Sequence, residues 1–254
     1  MIIVLIAVLG LVMGSFASCV SFRLGEKTSL FDRSKCPKCN KVLGVFNLVP
    51  LLSWAVQGGK CSNCKAKISW RYPMIELSFL ASFLTIYFLS HQRADVHFML
   101  LCAIATTMII MTIVDLEHYF IPDSLQVVLA ILAVALSFVD GGKALLIANL
   151  GAAAMYFAFG AALYYLFYFA ANAEAIGVDD IKFLAAAGLM LGVSKFLVFI
   201  LLVGIIGIIF GVIWQKVEKD TTFPFAPALC LSAMINLLID KNFDITKLIG
   251  KILF

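Results

Sequence analysis

Charge is what this chain has least of. Only 13% of its 254 residues are Asp, Glu, Lys or Arg, and 63% are hydrophobic. A soluble domain carries about 25% charged and about 45–50% apolar residues. A deficit of that size excludes a soluble globular protein and makes the chain a polytopic membrane protein. Acids are scarce where bases collect: between Arg23 and Arg71, ten Lys/Arg stand against Glu26 and Asp32. Basic residues in a loop flanked by spans mark the cytoplasmic side. Topology and anionic lipid are sufficient cause for them, so no nucleic-acid partner is expected. The first apolar run, residues 1–22, lacks a positive segment before it. Phe16-Ala17-Ser18-Cys19 faintly resembles a lipoprotein cleavage site, but a signal peptide needs that basic start. The run is expected to stay as a first span with its N-terminus outside.

Seven cysteines divide into two kinds. Cys19, Cys102 and Cys230 lie in apolar runs, as small core residues do. Cys36-Pro37-Lys38-Cys39 and Cys61-Ser62-Asn63-Cys64 lie in the basic loop, with 21 residues between the pairs. Two CxxC knuckles supply the four ligands of a tetrahedral zinc site. Four thiolates leave no position for water, so the zinc is expected to be structural. Disulfides are not expected in a cytoplasmic loop.

The apolar runs predict an all-α fold of about eight transmembrane helices. The expected order is a first helix (1–22), a small four-cysteine domain (23–72), a transmembrane domain (73–240) and a C-terminal tail (241–254). Residues 91–97 read as an outer loop, residues 140–143 as an outer turn, and Ser194-Lys195 as another. The sixth span, read over 181–192, carries the small residues Ala185-Ala186-Ala187-Gly188, which permit close helix approach in lipid. The tail carries three lysines on the expected outer side, against the positive-inside rule. Either it lies in the interface as an amphipathic helix or the span count is off by one.

Two carboxylates stand at hydrophobic-to-polar edges. Asp115 closes the third apolar run, where the helix macrodipole disfavours a negative charge. Pro122 then breaks any continuing helix. Asp123-Ser124-Leu125-Gln126 has capping-box spacing, so Asp123 is expected as an N-cap. Asp180 lies in Gly177-Val178-Asp179-Asp180-Ile181-Lys182, at the start of the sixth span. With eight spans, Asp115, Asp180 and the Pro224–Pro227 segment fall at one membrane face. Two nearby carboxylates share a proton, so one serves as base and the other as acid. The same pair would equally serve a proton-coupled transporter, although no internal repeat or paired broken helices stand out. A zinc-ribbon membrane adaptor without catalysis is the third reading.

These motifs together resemble the type IV prepilin peptidases, membrane aspartic proteases of the GxGD type. The likeness runs over about residues 14–230. It includes Gly14-Ser15-Phe16 with Phe22-Arg23-Leu24, and both CxxC pairs. It continues through Pro50, Ser53-Trp54, Gly59, Ile68-Ser69 and Arg71-Tyr72-Pro73 with Glu76, then Asp115 to Asp123 and Gly177 to Lys182. The resemblance implies that Asp115 and Asp180 are the catalytic aspartates, with Lys182, Gly177, Pro122 and Asp123 supporting them. It departs at Asp179 and at Ala226, where the family carries glycine. Asp179 adds a third carboxylate beside the pair. The implied activity is removal of the basic leader from prepilins or pseudopilins at the cytoplasmic face of a bacterial inner membrane. The implied second activity is N-methylation with S-adenosylmethionine, although residues 23–72 hold no nucleotide-binding glycine loop. Glu76 reads equally as a contributor to that activity and as a surface residue.

Overall fold

The computed structural model describes residues 1–26, 28, 29, 32–90, 94–171, 177–218 and 223–239. Residues 91–93 of the expected outer loop and the tail over 241–254 lie outside them. The described residues are helical apart from turns, loops and two isolated β-bridges. They fall into two compact units, Met1–His118 and Tyr119–Phe254.

The first unit holds α1 (Ile2–Gly25), a 3-10 turn (Val45–Asn47), α2 (Leu52–Val56), α3 (Arg71–Leu89) and α4 (Val96–His118). At 1.5 Å per residue, the 24 residues of α1 reach about 36 Å, enough for a hydrocarbon core of about 30 Å. Its buried face is Ile6, Gly10, Gly14, Ala17, Ser18 and Ser21, a stripe of mostly small residues at helical spacing. That stripe lets α3 approach to backbone contact. A Cβ on Gly14 would lie 2.7 Å from the Cα of Glu76, and one on Gly10 would lie 3.1 Å from the Cα of Leu80. The pairing runs backwards along α3, so the two helices are antiparallel. The helix α4 packs on both and carries the unit's core, with Phe98, Leu101, Ile104, Met108, Met111 and Val114 all buried.

The second unit holds α5 (Asp123–Ala171), α6 (Val178–Leu191), a 3-10 turn (Val193–Lys195), α7 (Phe196–Glu218) and α8 (Ala226–Leu238). The 49 residues of α5 are two helices joined at Gly141 and Gly142, whose backbone angles are non-helical. Gly142 has φ +62, open to glycine. The expected turn over 140–143 is therefore compressed into two residues. The small face of α6 packs as its composition predicts: a Cβ on Gly188 would lie 2.7 Å from the Cα of Ala153.

Among the described residues, five helices are long and apolar enough to cross a membrane, with both parts of α5 counted as one. Two shorter helices, α6 and α8, have 14 and 13 residues. At 1.5 Å per residue, α6 is only about 21 Å long. Its C-terminal carbonyls would be stranded in an apolar surround. Three buried side chains prevent this. Ser137 Oγ and Asn149 Nδ2 donate to the Leu189 carbonyl at 2.7 and 3.0 Å, and Tyr156 Oη donates to that of Gly192 at 3.2 Å. The α8 C-terminus is capped differently. Lys195 Nζ, read from sequence only as part of a tight turn, donates to the carbonyls of Asn236 and Ile239.

Candidate active site and metal centre

The small segment between α1 and α3 is built from one turn used twice. In the first, Cys36 N–H donates to Lys41 O and Asn40 N–H to Cys36 O, closed by a Lys35–Val42 bridge. In the second, Cys61 N–H donates to Ala66 O and Lys65 N–H to Cys61 O, closed by a Lys60–Lys67 bridge. Asn40 and Lys65 hold the equivalent positive φ, 55 and 59. Each turn wraps backbone around its first cysteine, and the two bring all four Sγ atoms within 4.8 Å of one another. Cys36 Sγ and Cys64 Sγ are 3.8 Å apart. Tetrahedral zinc thiolates at about 2.3 Å from the metal stand about 3.8 Å apart, so donor set and spacing both fit. The thiols are already differentiated. Backbone N–H groups of Cys64 and Asn63 pull Cys61 down to about 6. The backbone bond at Lys41 lowers Cys39. The Ala66 N–H favours the Cys64 thiolate, but burial and the other thiols outweigh it and push Cys64 up to about 11.

Asp115 lies in the last turn of α4 and is 6% exposed. One face of that turn is held by an ion pair that sequence reasoning missed. The Arg71 guanidinium binds both carboxylate oxygens of Glu117, the second at 2.9 Å. The same guanidinium donates to Ser21 Oγ at 2.9 Å and Ser18 O at 3.3 Å. One side chain thus ties α1, α3 and α4 together two residues from Asp115. His118 packs where Gly25 has no side chain, closing α1 against the end of α4. Glu76 is not a surface residue: it is 6% exposed, and its Oε2 accepts the Leu51 N–H at 2.8 Å. It is buried because Gly14 lets α1 close over it.

Asp180 belongs to the second unit. Expected just before a helix, Asp179 and Asp180 instead lie in the first turn of α6. Gly177 is the N-cap, and its N–H donates to Asp180 Oδ2 at 3.1 Å. Acids are favoured here by the exposed N–H groups and the macrodipole. Lys182 Nζ donates to Asp123 Oδ1 at 2.6 Å and Asp179 Oδ1 at 3.2 Å, joining the starts of α5 and α6. The capping box expected at Asp123 does not form. Gln126 Nε2 donates instead to the Asp179 carbonyl at 3.1 Å, leaving Gln126 Oε1 without a partner. Pro122 is buried, and its carbonyl accepts from Leu125 and Gln126. Neither departure from the family pattern sits at a positive φ, so neither glycine is needed for backbone reasons. Asp179 is helical, and Ala226 is fully buried at the start of α8.

Residues 8–90 match the Bacterial Peptidase A24 N-terminal domain, and residues 102–212 match the Type IV leader peptidase family. The prepilin leader peptidase/N-methyltransferase of Stutzerimonas stutzeri is 31% identical over 260 residues, covering 91% of this chain and 88% of that one. The protein of the same name from Legionella pneumophila is 31% identical over 213 residues, covering 82% and 73%. The type 4 prepilin-like proteins leader peptide-processing enzyme of Escherichia coli O78:H11 is 28% identical over 260 residues, covering 94% and 95%. No solved structure matches the chain.

Proposed function

The chain belongs to the type IV leader peptidase family, and on that premise we propose that it removes the basic leader of type IV prepilins or pseudopilins, with Asp115 and Asp180 as its catalytic aspartates. The observation that carries this is Asp115, a carboxylate buried at the C-terminal end of a membrane helix. The macrodipole disfavours a negative charge at that end, so helix capping does not account for the residue. Asp180, the partner aspartate, accepts the Gly177 N–H at 3.1 Å, which fixes its carboxylate at the start of α6. Two carboxyl groups that act together on one bond serve as an acid and a base. The base takes a proton from water as the water oxygen bonds to the scissile carbonyl carbon. The acid protonates the carbonyl oxygen. Collapse then breaks the C–N bond, and the proton ends on the departing amine. Gly177, Asp179, Lys182, Pro122 and Asp123 keep the turn around Asp180 in place.

Cys36, Cys39, Cys61 and Cys64 would hold one zinc ion that braces the small segment. N-methylation with S-adenosylmethionine is carried by the relatives' names, and no residue is assigned to that cofactor. In this reading the two parts of α5, α6 and α8 each count as a span, which makes eight, with the N-terminus outside and both aspartates at the cytoplasmic face of the bacterial inner membrane. The test is full-length prepilin mixed with the reconstituted protein and S-adenosylmethionine, followed by mass spectrometry of the product N-terminus. Asp115→Asn and Asp180→Asn should each cut leader removal by at least about 10²-fold while the protein keeps its metal. A double variant that cleaves at the wild-type rate would refute the assignment. Neither a proton relay nor a non-catalytic adaptor would remove a leader at all.

A further inference from the structure

We propose that the apolar rim of the segment between α1 and α3 docks into the anionic lipid face from which those two helices enter the bilayer. The rim is made by Val45 and Phe46 of the 3-10 turn and by Leu52 and Val56, one turn apart on α2. Their exposures are 76%, 90%, 65% and 87%. Apolar surface left uncovered in this density marks an interaction site. What covers it follows from its surroundings. Lys35, Lys38 and Lys41 on the first knuckle, and Lys60, Lys65 and Lys67 on the second, are all exposed. Clustered lysines beside Phe, Leu and Val are the composition of a surface that lies in an anionic interface.

The position agrees with the composition. Trp70, exposed, is the residue just before α3 and packs at a tilt against Trp54 of α2 with ring centroids 4.2 Å apart. Tryptophan favours the headgroup level. The contact therefore ties α2, which carries Leu52 and Val56, to the level at which a membrane helix starts. Gly59 permits this, since a Cβ there would lie 3.0 Å from the Trp54 ring. A basic peptide leader is the poorer occupant, because like charges across a contact are disfavoured. Docking needs no proteolysis, so this inference stands or falls apart from the function proposed above.

The experiment uses the full-length protein with p-benzoylphenylalanine in place of Phe46, in nanodiscs of phosphatidylcholine with and without phosphatidylglycerol. Irradiation and mass spectrometry then identify the adduct. The expected adduct is phospholipid, and its yield should rise with phosphatidylglycerol. Lys60→Glu with Lys67→Glu should lower that yield by at least about fivefold, the effect of about one lysine at an anionic surface. Bound zinc in each variant reports that the segment is folded. A lipid yield no higher than with the probe at position 38, or one indifferent to phosphatidylglycerol, would overturn the proposal. So would an adduct to added prepilin in place of lipid, which would assign the rim to the substrate.

Discussion

Replacing Asp179 by glycine restores the family's residue beside Asp180, and the structure says what that change removes. Asp179 is helical, so glycine gains nothing from its freedom at positive φ. An acid in the first turn of a helix is worth about 0.3–1 kcal/mol through the macrodipole. Glycine adds a few tenths of a kcal/mol of backbone entropy relative to aspartate. The Lys182 pair adds little, because the two side chains are 43% and 37% exposed and solvent screens them. Lys182 keeps Asp123 at 2.6 Å, and Gln126 binds the backbone carbonyl of residue 179, which survives the change. The total is about 1 kcal/mol at one helix end, roughly a fivefold effect on local order. Leader removal by Asp179→Gly should therefore stay within about tenfold of wild type, measured as kcat/KM on full-length prepilin in the same lipid. Asp179→Asn, which keeps the side-chain volume and loses the charge, should fall between the two. A change of more than about 10²-fold in either direction would refute the reasoning. It would mean that the Asp179 carboxylate acts on the chemistry as a third acid rather than on the helix end.

The cysteine cluster should bind about one zinc per chain by elemental analysis, and Cys36→Ser with Cys39→Ser should abolish it. Without metal, the lowered Cys61 thiol contributes stability that is present above the ordinary value of 9.0 and lost as pH falls through about 6. Thiolate absorbance of the metal-free protein should therefore begin to rise near pH 6, and a first rise only near 9 would contradict the N–H–S bonds. Gly14→Leu should destabilise the first unit by about 1–3 kcal/mol or more, since its Cβ would meet Glu76 backbone at 2.7 Å. Thermal unfolding in detergent checks it, and an unchanged midpoint would mean α1 and α3 do not touch there. Asn149→Leu should cost about 0.5–1.5 kcal/mol by removing one of the two buried donors to Leu189 O, which keeps Ser137. Hydrogen exchange at the end of α6 should rise accordingly.

Much of the fold was legible because hydrocarbon imposes simple rules. Long apolar runs became α1, α3, α4, α5 and α7, and a break at Gly141-Gly142 divided the longest. The CxxC spacing was enough to assemble the cysteines, since two knuckles need little else. Pairings between distant residues were not legible. Nothing in the sequence links Arg71 to Glu117, or Asp123 to Lys182, because each partner fits an ordinary surface role. Gly10 and Gly14 carried a signal that went unused: small residues four apart on a membrane helix announce a close neighbour. That neighbour is why Glu76 is inside.

The start of α6 was read three residues late, and its end was read within one residue. Acids at 179 and 180 look like loop, yet unpaired N–H groups make a helix N-terminus the favourable place for them. The other end poses the opposite demand, for donors, and sequence order hides how it is met. Ser137 and Asn149 lie on either side of the Gly141-Gly142 break, 12 residues apart. The chain reversal brings them within 3.0 Å of each other and both onto the Leu189 carbonyl. A helix this short ends without stranded carbonyls because its partner turns back where its last carbonyls lie. The length of α6 and the position of the two glycines are therefore one feature, and it holds at a fixed level the helix whose first turn carries Asp180.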